Sequence, residues 1–158
     1  MVHMERIASF CVDHTKLDRG MYISRRDGDV VTYDVRMKKP NGGDYLAIDA
    51  MHTIEHLFAT CARNSQYKDS VIYVGPMGCR TGFYLLTRGI TNAAAIDLAR
   101  ECMKFISEFE GDIPGATEPE CGNYREQNLP EAKKEAKEML KVLEGITEKD
   151  LEYKALLN

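Results

Sequence analysis

The stretch YISRRDGDVVTYDVRM, residues 22–37, sets the strongest limit on how this chain folds. Apolar and polar residues alternate from Val31 to Met37, and a period of two is typical of a half-buried β-strand. The Asp27-Gly28 pair directly before this run is typical of a tight hairpin turn. The stretch therefore predicts an antiparallel strand pair in which Arg36 points toward the polar face of the sheet.

The rest of the chain alternates strand-like and helix-like segments, and this order predicts the α+β class. Two β-rich runs, 71–74 and 83–87, flank a connection rich in Gly and Pro. Apolar residues recur at helical spacing in three segments, which cover 49–63 with Asp49 as the expected cap, 92–109, and 132–143 after Pro130. The order favours an antiparallel or mixed β-sheet packed with helices.

Length and charge limit the functional classes. With 158 residues the chain has the usual length of one domain, and we expect a single domain over residues 1–158. The net charge of −4, without a basic stripe, argues against a nucleic-acid-binding protein. The N-terminal segment lacks the apolar core of a secretory signal, and no run of about 18 apolar residues predicts a membrane span. We therefore expect a soluble, cytoplasmic protein.

The five cysteines occur without C-x-x-C pairs, which predicts reduced thiols rather than disulfides. Cys61 and Cys102 fall on the apolar sides of predicted helices and are expected to be buried. Cys79 and Cys121 fall in loops and are candidates for a ligand or a reactant. Cys79 follows a glycine that allows close approach, and Arg80 after it favours a thiolate, which can exchange protons at neutral pH.

His52, Glu55 and His56 form an H-x-x-E-H pattern on the first predicted helix. At about 100° per residue, these three side chains lie on the side opposite the apolar stripe. Two imidazoles one turn apart can bind one metal ion, and a carboxylate beside the second can handle a proton without coordinating. The alternative is an ordinary solvated helix face, but the rarity of histidine favours a metal site.

A catalytic zinc-like site generally has three protein ligands and one open position, so the two histidines need a third ligand. The candidates are Cys121, Cys79, His14, Glu118 and Glu120. We favour Cys121, because it lies in a polar loop and precedes Gly122, where the backbone can bend toward an ion.

The chain contains five segments that resemble the S-ribosylhomocysteine lyases of the LuxS family, in the same order and over nearly its whole length: ASFCVDHTK, YDVRMKKPN, MHTIEHLFAT, GPMGCRTGFYL and IPGATEPECGNY. The resemblance implies an α+β fold of the two-layer, inverzincin-like type, and a homodimer with interfacial active sites. It implies one divalent metal per subunit, with Fe²⁺ expected and Zn²⁺ or Co²⁺ in purified protein. By position it implies metal ligands at His52, His56 and Cys121, an acid/base pair at Glu55 and Cys79, and substrate contacts at Ser9, His14 and Arg36.

The family cleaves the thioether S-ribosylhomocysteine to homocysteine and 4,5-dihydroxy-2,3-pentanedione, the precursor of a quorum-sensing autoinducer. The resemblance therefore implies a carbon–sulfur lyase that recycles a methyl-cycle product. The sugar carbonyl must first move by successive enolisations, and a metal stabilises the charge that develops in them as a Lewis acid. Glu55 and Cys79 are expected to remove and return protons on the two sides of the planar enediol before β-elimination releases homocysteine.

The sequence departs from the family pattern at a few positions. Family members commonly have Ser, and often an acidic residue two places earlier, where this chain has Gly75 and Tyr73. A substrate or proton-relay contact is therefore expected to be missing. The stretch TKLDRGMY at 15–22 also replaces the usual Lys-Ala-Pro-Tyr.

Two other functions fit parts of the pattern. In an H-x-x-E-H metallopeptidase Glu55 would activate a water on the metal, but the third ligand there is normally a downstream glutamate and the chain is far longer. A non-enzymatic module would hold a structural metal in a closed site with four protein ligands. The number of ligands therefore distinguishes a catalytic from a structural centre.

Overall fold

The computed structural model describes residues 2–157. Its helices and strands follow the predicted order, and they are β1 Gly20–Asp27, β2 Val30–Arg36, α1 Ile48–Asn64, β3 Val71–Pro76, β4 Gly82–Arg88, α2 Asn92–Glu108 and α3 Leu129–Glu144. The predicted α+β class is confirmed. None of the helices formed by residues 2–157 has both the length and the apolar character needed to span a lipid bilayer.

The four strands form one sheet in the order β1-β2-β4-β3, and every pairing in it is antiparallel. The predicted hairpin joins β1 to β2, and Gly28 adopts a φ of +62° in its turn, as a tight hairpin requires. On one face of the sheet, Tyr33 pairs with Leu85 and Val35 pairs with Phe83. These fully buried side chains share the apolar core with the helices.

The opposite face of β2 differs from the sequence prediction. Alternation predicted a half-buried strand, yet Asp34 is 0% exposed and Arg36 is 4% exposed. Arg36 does lie on the face away from Val35, but that face is buried. The covering groups include Tyr153, from the C-terminal segment, whose hydroxyl donates a hydrogen bond to Asp34. A periodic pattern within one strand carries no signal of a distant segment that packs over it.

Helix α1 packs its apolar stripe on the core, and its polar side lies opposite, as predicted; His52, Glu55 and His56 on that side are half-buried. Ala50, Ile54, Leu57 and Phe58 are fully buried. The prediction that Asp49 caps the helix is wrong, because α1 already begins at Ile48 and its N-cap is Ala47. Asp49 lies in the first turn, where the helix dipole favours a carboxylate, and it accepts hydrogen bonds from Asn128 Nδ2.

The other two helices complete the core. Asn128 caps α3, because its side chain accepts a hydrogen bond from the Glu131 amide. Cys61 of α1 and Cys102 of α2 are both buried, which confirms that prediction. The hydrogen bond with Cys61, together with burial, raises the pKa of the Cys102 thiol, as suits a packed, unreactive cysteine.

Candidate metal centre

Three predicted ligands come together at the polar side of α1. The ligand atoms of His52, His56 and Cys121 all lie within 4.8 Å of one another. His52 Nε2 is 3.1 Å from His56 Nε2 and 3.4 Å from Cys121 Sγ. No other His, Cys, Asp or Glu between residues 2 and 157 joins this group. The described chain therefore offers three ligands, as an open catalytic centre requires, and no fourth ligand to close the site.

Two backbone carbonyls orient the imidazoles. His52 Nδ1 is 2.6 Å from the carbonyl oxygen of Glu126, and His56 Nδ1 is 2.7 Å from that of Pro114. A carbonyl only accepts, so each Nδ1 carries a proton, and in the neutral ring Nε2 then keeps the lone pair that binds a metal. This is the arrangement by which metal-binding histidines are usually held.

Two of the three distances between the donor atoms match those expected around a single ion. Two nitrogens bound tetrahedrally at about 2.05 Å lie about 3.3 Å apart, and a nitrogen and a thiolate sulfur lie about 3.6 Å apart. The observed 3.1 Å and 3.4 Å are within about 0.2 Å of these values. Two unprotonated Nε2 atoms at this separation repel each other unless a cation lies between them. The donor set therefore fits a divalent metal such as zinc or iron.

The loop between α2 and α3 supplies the rest of the centre. Gly115 adopts a φ of +73°, and a Cβ atom there would lie 3.1 Å from His56 Nδ1. Glycine thus lets the Pro114 carbonyl approach the ring. The Cys121 amide donates a hydrogen bond to the Thr117 carbonyl, and the Asn123 amide points at Cys121 Sγ over 3.5 Å.

Buried Thr53, which follows His52, fixes the other end of this loop. Its hydroxyl donates to Gln127 Oε1 at 2.7 Å and accepts from the Asn128 amide at 2.9 Å. These bonds hold the backbone next to Glu126, whose carbonyl orients His52. The carbonyls of Pro114 and Glu126 could not be predicted from the sequence, because a backbone acceptor has no side-chain signature.

Glu55 lines a cavity of about 330 Å³ beside the metal-binding group. The wall of this cavity also contains His56, Arg63, Tyr73 and Gly115. Among the described residues, no hydrogen bond or ion pair engages the Glu55 carboxylate, which is half-buried. It is therefore available to exchange a proton with a molecule in the cavity.

Tyr73 and Gly75, which both depart from the family pattern, pack against each other. A Cβ atom at Gly75 would lie 2.8 Å from the Tyr73 hydroxyl oxygen and 2.9 Å from Cζ. The aromatic ring thus occupies the space above the glycine, and a larger residue at position 75 would displace it. Because Tyr73 lines the cavity, the pair shapes its wall.

Cys79 lies in a second group of polar residues, at the connection between β3 and β4. The thiol is exposed, and its Sγ is 3.1 Å from the hydroxyl oxygen of buried Thr81. Arg36 donates from Nη1 to that oxygen at 2.8 Å and from Nη2 to Asp34 at 2.6 Å. None of the described hydrogen bonds or ion pairs connects this group to His52, His56, Cys121 or Glu55.

The predicted substrate contacts lie outside the metal-binding group. Ser9 is in a short 3₁₀ helix, Ala8–Phe10, that buries none of its residues. His14 is half-buried, and its Nδ1 lies 2.8 Å from the Val12 carbonyl oxygen. Both terminal nitrogens of Arg36 are already hydrogen-bonded within the protein. None of the hydrogen bonds described for residues 2–157 joins Ser9, His14 or Arg36 to the three ligands.

Comparisons with known proteins match these features. The chain fits the sequence profile described as S-Ribosylhomocysteinase (LuxS) over residues 7–150. It is 50% identical to the S-ribosylhomocysteine lyase of Clostridium beijerinckii, across 95% of this chain and 99% of that protein. With the same coverage, it is 47% identical to the S-ribosylhomocysteine lyase of Clostridium acetobutylicum and 49% identical to that of Desulfotalea psychrophila. The matched profile contains every predicted site residue and ends before Tyr153.

Proposed function

Because the chain belongs to the S-ribosylhomocysteinase (LuxS) family, we propose that it cleaves S-ribosylhomocysteine to homocysteine and 4,5-dihydroxy-2,3-pentanedione as a carbon–sulfur lyase. The observation that carries this proposal is the group of three ligands, His52, His56 and Cys121, beside the cavity that Glu55 lines. A metallopeptidase with this helix motif would normally use a glutamate as third ligand, and the comparisons support no peptidase.

His52, His56 and Cys121 would hold the divalent metal of this enzyme, for which Fe²⁺ is our proposal and Zn²⁺ or Co²⁺ the substitutes expected in purified protein. When bound, the metal supplies Lewis-acid stabilisation for negative charge that develops on a sugar oxygen. The Glu126 and Pro114 carbonyls keep both imidazoles in the tautomer that this role needs.

Glu55 and Cys79 form the proposed acid/base pair. Moving the carbonyl toward the sulfur requires a proton to leave one carbon and another to arrive at its neighbour. Glu55 lines the cavity and has no hydrogen-bond or ion-pair partner among residues 2–157, so its carboxylate can take such a proton and return it. The Cys79 thiol is exposed and next to a polarised hydroxyl, which supports the same task from a second element. β-Elimination then breaks the carbon–sulfur bond and releases homocysteine, and Glu55 transfers the proton of this step.

The cavity beside Glu55 suits the amino-acid half of the substrate. Its volume of about 330 Å³ is typical of small-molecule sites. Arg63 in its wall offers a guanidinium to the substrate carboxylate. Tyr73 also lies in this wall, and because it departs from the family pattern we expect one substrate or proton-relay contact to be missing here.

We further propose that two copies build each active site as a homodimer. No described hydrogen bond joins Ser9 or His14 to the metal-binding group, which supports this arrangement, as do the exposed apolar side chains of the N-terminal segment, Ile7 and Phe10. If each active site contains residues of both copies, His14→Ala and Cys121→Ala are each inactive alone. A mixture of the two variants refolded together then regains activity, because some of its sites carry neither substitution. A mixture that stays inactive would argue for sites within single copies.

A cytoplasmic location, a single domain over residues 1–158 and a role in autoinducer synthesis and methyl-cycle recycling complete the proposal. The free Cys79 and Cys121 support a reducing compartment, because oxidation would remove both a ligand and an acid/base group.

The function is tested by incubating the purified, iron-loaded protein with S-ribosylhomocysteine and titrating the free thiol released. We expect thiol to accumulate with turnover and to stay at background in a sample treated with a chelator. Equal thiol in both samples, or none in either, would refute the proposed activity.

A further inference from the structure

The strongest feature outside the metal centre is a buried chain of polar contacts that ends at Cys79. The Tyr153 hydroxyl donates to Asp34 Oδ2 at 2.6 Å, and Arg36 Nη2 donates to the same oxygen at 2.6 Å. Arg36 Nη1 donates to Thr81 Oγ1, which lies 3.1 Å from Cys79 Sγ. Asp34, Arg36 and Thr81 are at most 4% exposed, so bulk water does not screen these contacts.

The direction of each hydrogen bond follows from the chemistry of the groups. Arg36 can only donate, so the Thr81 oxygen accepts from it and the Thr81 proton is free to point at Cys79. A hydrogen bond that a thiolate accepts favours the thiolate over the neutral thiol. The positive charge of Arg36 behind Thr81 acts in the same sense.

Asp34 and Tyr153 control how much of that positive charge reaches Cys79. Burial lowers the pKa of Arg36, but the Asp34 carboxylate and its hydrogen bond more than offset burial, so Arg36 stays charged. Asp34 thereby also neutralises part of the Arg36 charge. Tyr153 donates a hydrogen bond to the same Asp34 oxygen that accepts from Arg36. This second hydrogen bond weakens the neutralisation of Arg36 by Asp34.

We propose that Asp34 and Tyr153 are positioning residues for Cys79, which set the protonation of its thiol by controlling how much positive charge Arg36 presents to it behind Thr81. This inference rests on the proposed acid/base function of Cys79. It extends the site to the C-terminal segment, because Tyr153 lies beyond the part of the chain that the family profile matches. Nothing in the resemblance to the family assigns a role to either residue.

Other charged or titratable groups near Cys79 do not replace this network. Tyr84 faces the same side of the sheet, and burial followed by the charge of Asp34 raises its pKa, so it stays neutral. Arg80 adjoins Cys79 in sequence, but its guanidinium bonds the Leu46 carbonyl and lies over the Tyr45 ring.

The test measures how fast iodoacetamide alkylates Cys79 as a function of pH, in the metal-loaded protein without substrate. Trypsin releases Cys79 on the peptide 69–80, so mass spectrometry separates its reaction from those of the other thiols. Tyr153→Phe strengthens the neutralisation of Arg36, and we expect the pH midpoint to rise by about half a unit. Asp34→Asn removes the neutralising charge and keeps an acceptor for Arg36, so the midpoint should fall.

Tyr22→Phe is the matched control, because Tyr22 stacks on Tyr153 at 5.1 Å but donates to the Asp18 carbonyl instead. We expect its midpoint to equal that of the unmodified chain. A Tyr153→Phe midpoint equal to that of the control would overturn the inference. If Asp34→Asn does not fold, Tyr153→Phe decides alone.

The measurement is independent of lyase activity. If the protein releases no homocysteine but the midpoints shift as expected, the proposed function fails and the network stands. If the protein is an active lyase and the midpoints do not shift, the network alone is refuted.

Discussion

His52 Nε2 and His56 Nε2 face each other at 3.1 Å, while the Nδ1 atom of each ring lies within 2.7 Å of a backbone carbonyl oxygen. Both carbonyls belong to the loop between α2 and α3, residues 109–128, so this loop fixes the orientation of the two metal-binding rings. The conformation of the loop and the affinity for metal are therefore expected to depend on each other.

Gly115→Ala tests this dependence. The added methyl group would lie 3.1 Å from His56 Nδ1 and the φ of +73° would be strained, so we expect metal affinity to fall by about 10- to 100-fold. Gly111→Ala is the control, since its φ is +101° but no described atom lies within 4 Å of the added carbon. Equal losses of affinity in the two variants, measured by competition with a chelator, would assign the effect to backbone strain alone.

Glu55→Gln should leave metal binding intact and remove the proton transfer that the reaction needs. The amide keeps the shape of the side chain but cannot take a proton, so we expect full metal content and a loss of thiol release of about 10²- to 10⁴-fold. Glu144→Gln, at the exposed end of α3, removes the same charge far from the cavity and should leave the rate unchanged. Metal analysis and thiol titration on the same samples check both parts. A Glu55→Gln protein with normal turnover would remove Glu55 from the mechanism.

A double-mutant cycle tests the pairing of Tyr73 with Gly75. Gly75→Ser forces the Tyr73 ring off the glycine, and we expect the free energy of unfolding to fall by about 1 kcal/mol. In a Tyr73→Ala background the same change should cost much less. Gly78→Ser, where no described atom lies within 4 Å of the new carbon, is the control and should cost little in either background. Equal costs of Gly75→Ser in both backgrounds would show that the two residues are independent.

The free energy of unfolding at alkaline pH should depend on the ionisation of the Tyr153 hydroxyl. Burial, followed by the negative charge of Asp34, raises the pKa of Tyr153 well above its usual range. The contribution of neutral Tyr153 to the free energy of unfolding is therefore fully present below about pH 10, where tyrosine begins to ionise in the unfolded chain. This contribution is lost as the pH rises further. Above pH 10 the free energy of unfolding should therefore fall less steeply in Tyr153→Phe than in the unmodified chain, and the two slopes should differ by up to about 1.4 kcal/mol per pH unit. Denaturant titrations at several pH values check this, and parallel declines would contradict it.

Periodicity and turn chemistry were enough to predict the order of helices and strands, because these signals are local. The H-x-x-E-H pattern likewise predicted which face of α1 carries the ligands. The burial of Arg36 was not predictable in this way, since it depends on Tyr153 from the far end of the chain. The carbonyls of Pro114 and Glu126 were equally invisible, because every residue has one and only the folded loop selects these two.

The resemblance to a family contributed what local patterns could not. Spacing alone left Cys121, Cys79, His14, Glu118 and Glu120 open as the third ligand, and the structure brings Cys121 to the two histidines. The roles of Ser9 and His14 stay predictions, because no described hydrogen bond joins them to the metal-binding group.

The central claim is that one divalent ion, held by His52, His56 and Cys121, is required for cleavage. We would measure the rate of thiol release from S-ribosylhomocysteine while adding Fe²⁺ anaerobically to the metal-free protein, with Cys121→Ala and Cys79→Ala in parallel. We predict that the rate rises to a plateau at one ion per chain. We also predict that Cys121→Ala neither binds the ion nor turns over, and that Cys79→Ala binds one ion and does not turn over. A rate independent of added metal, or a Cys121→Ala protein that binds metal and turns over like the unmodified chain, would contradict the claim.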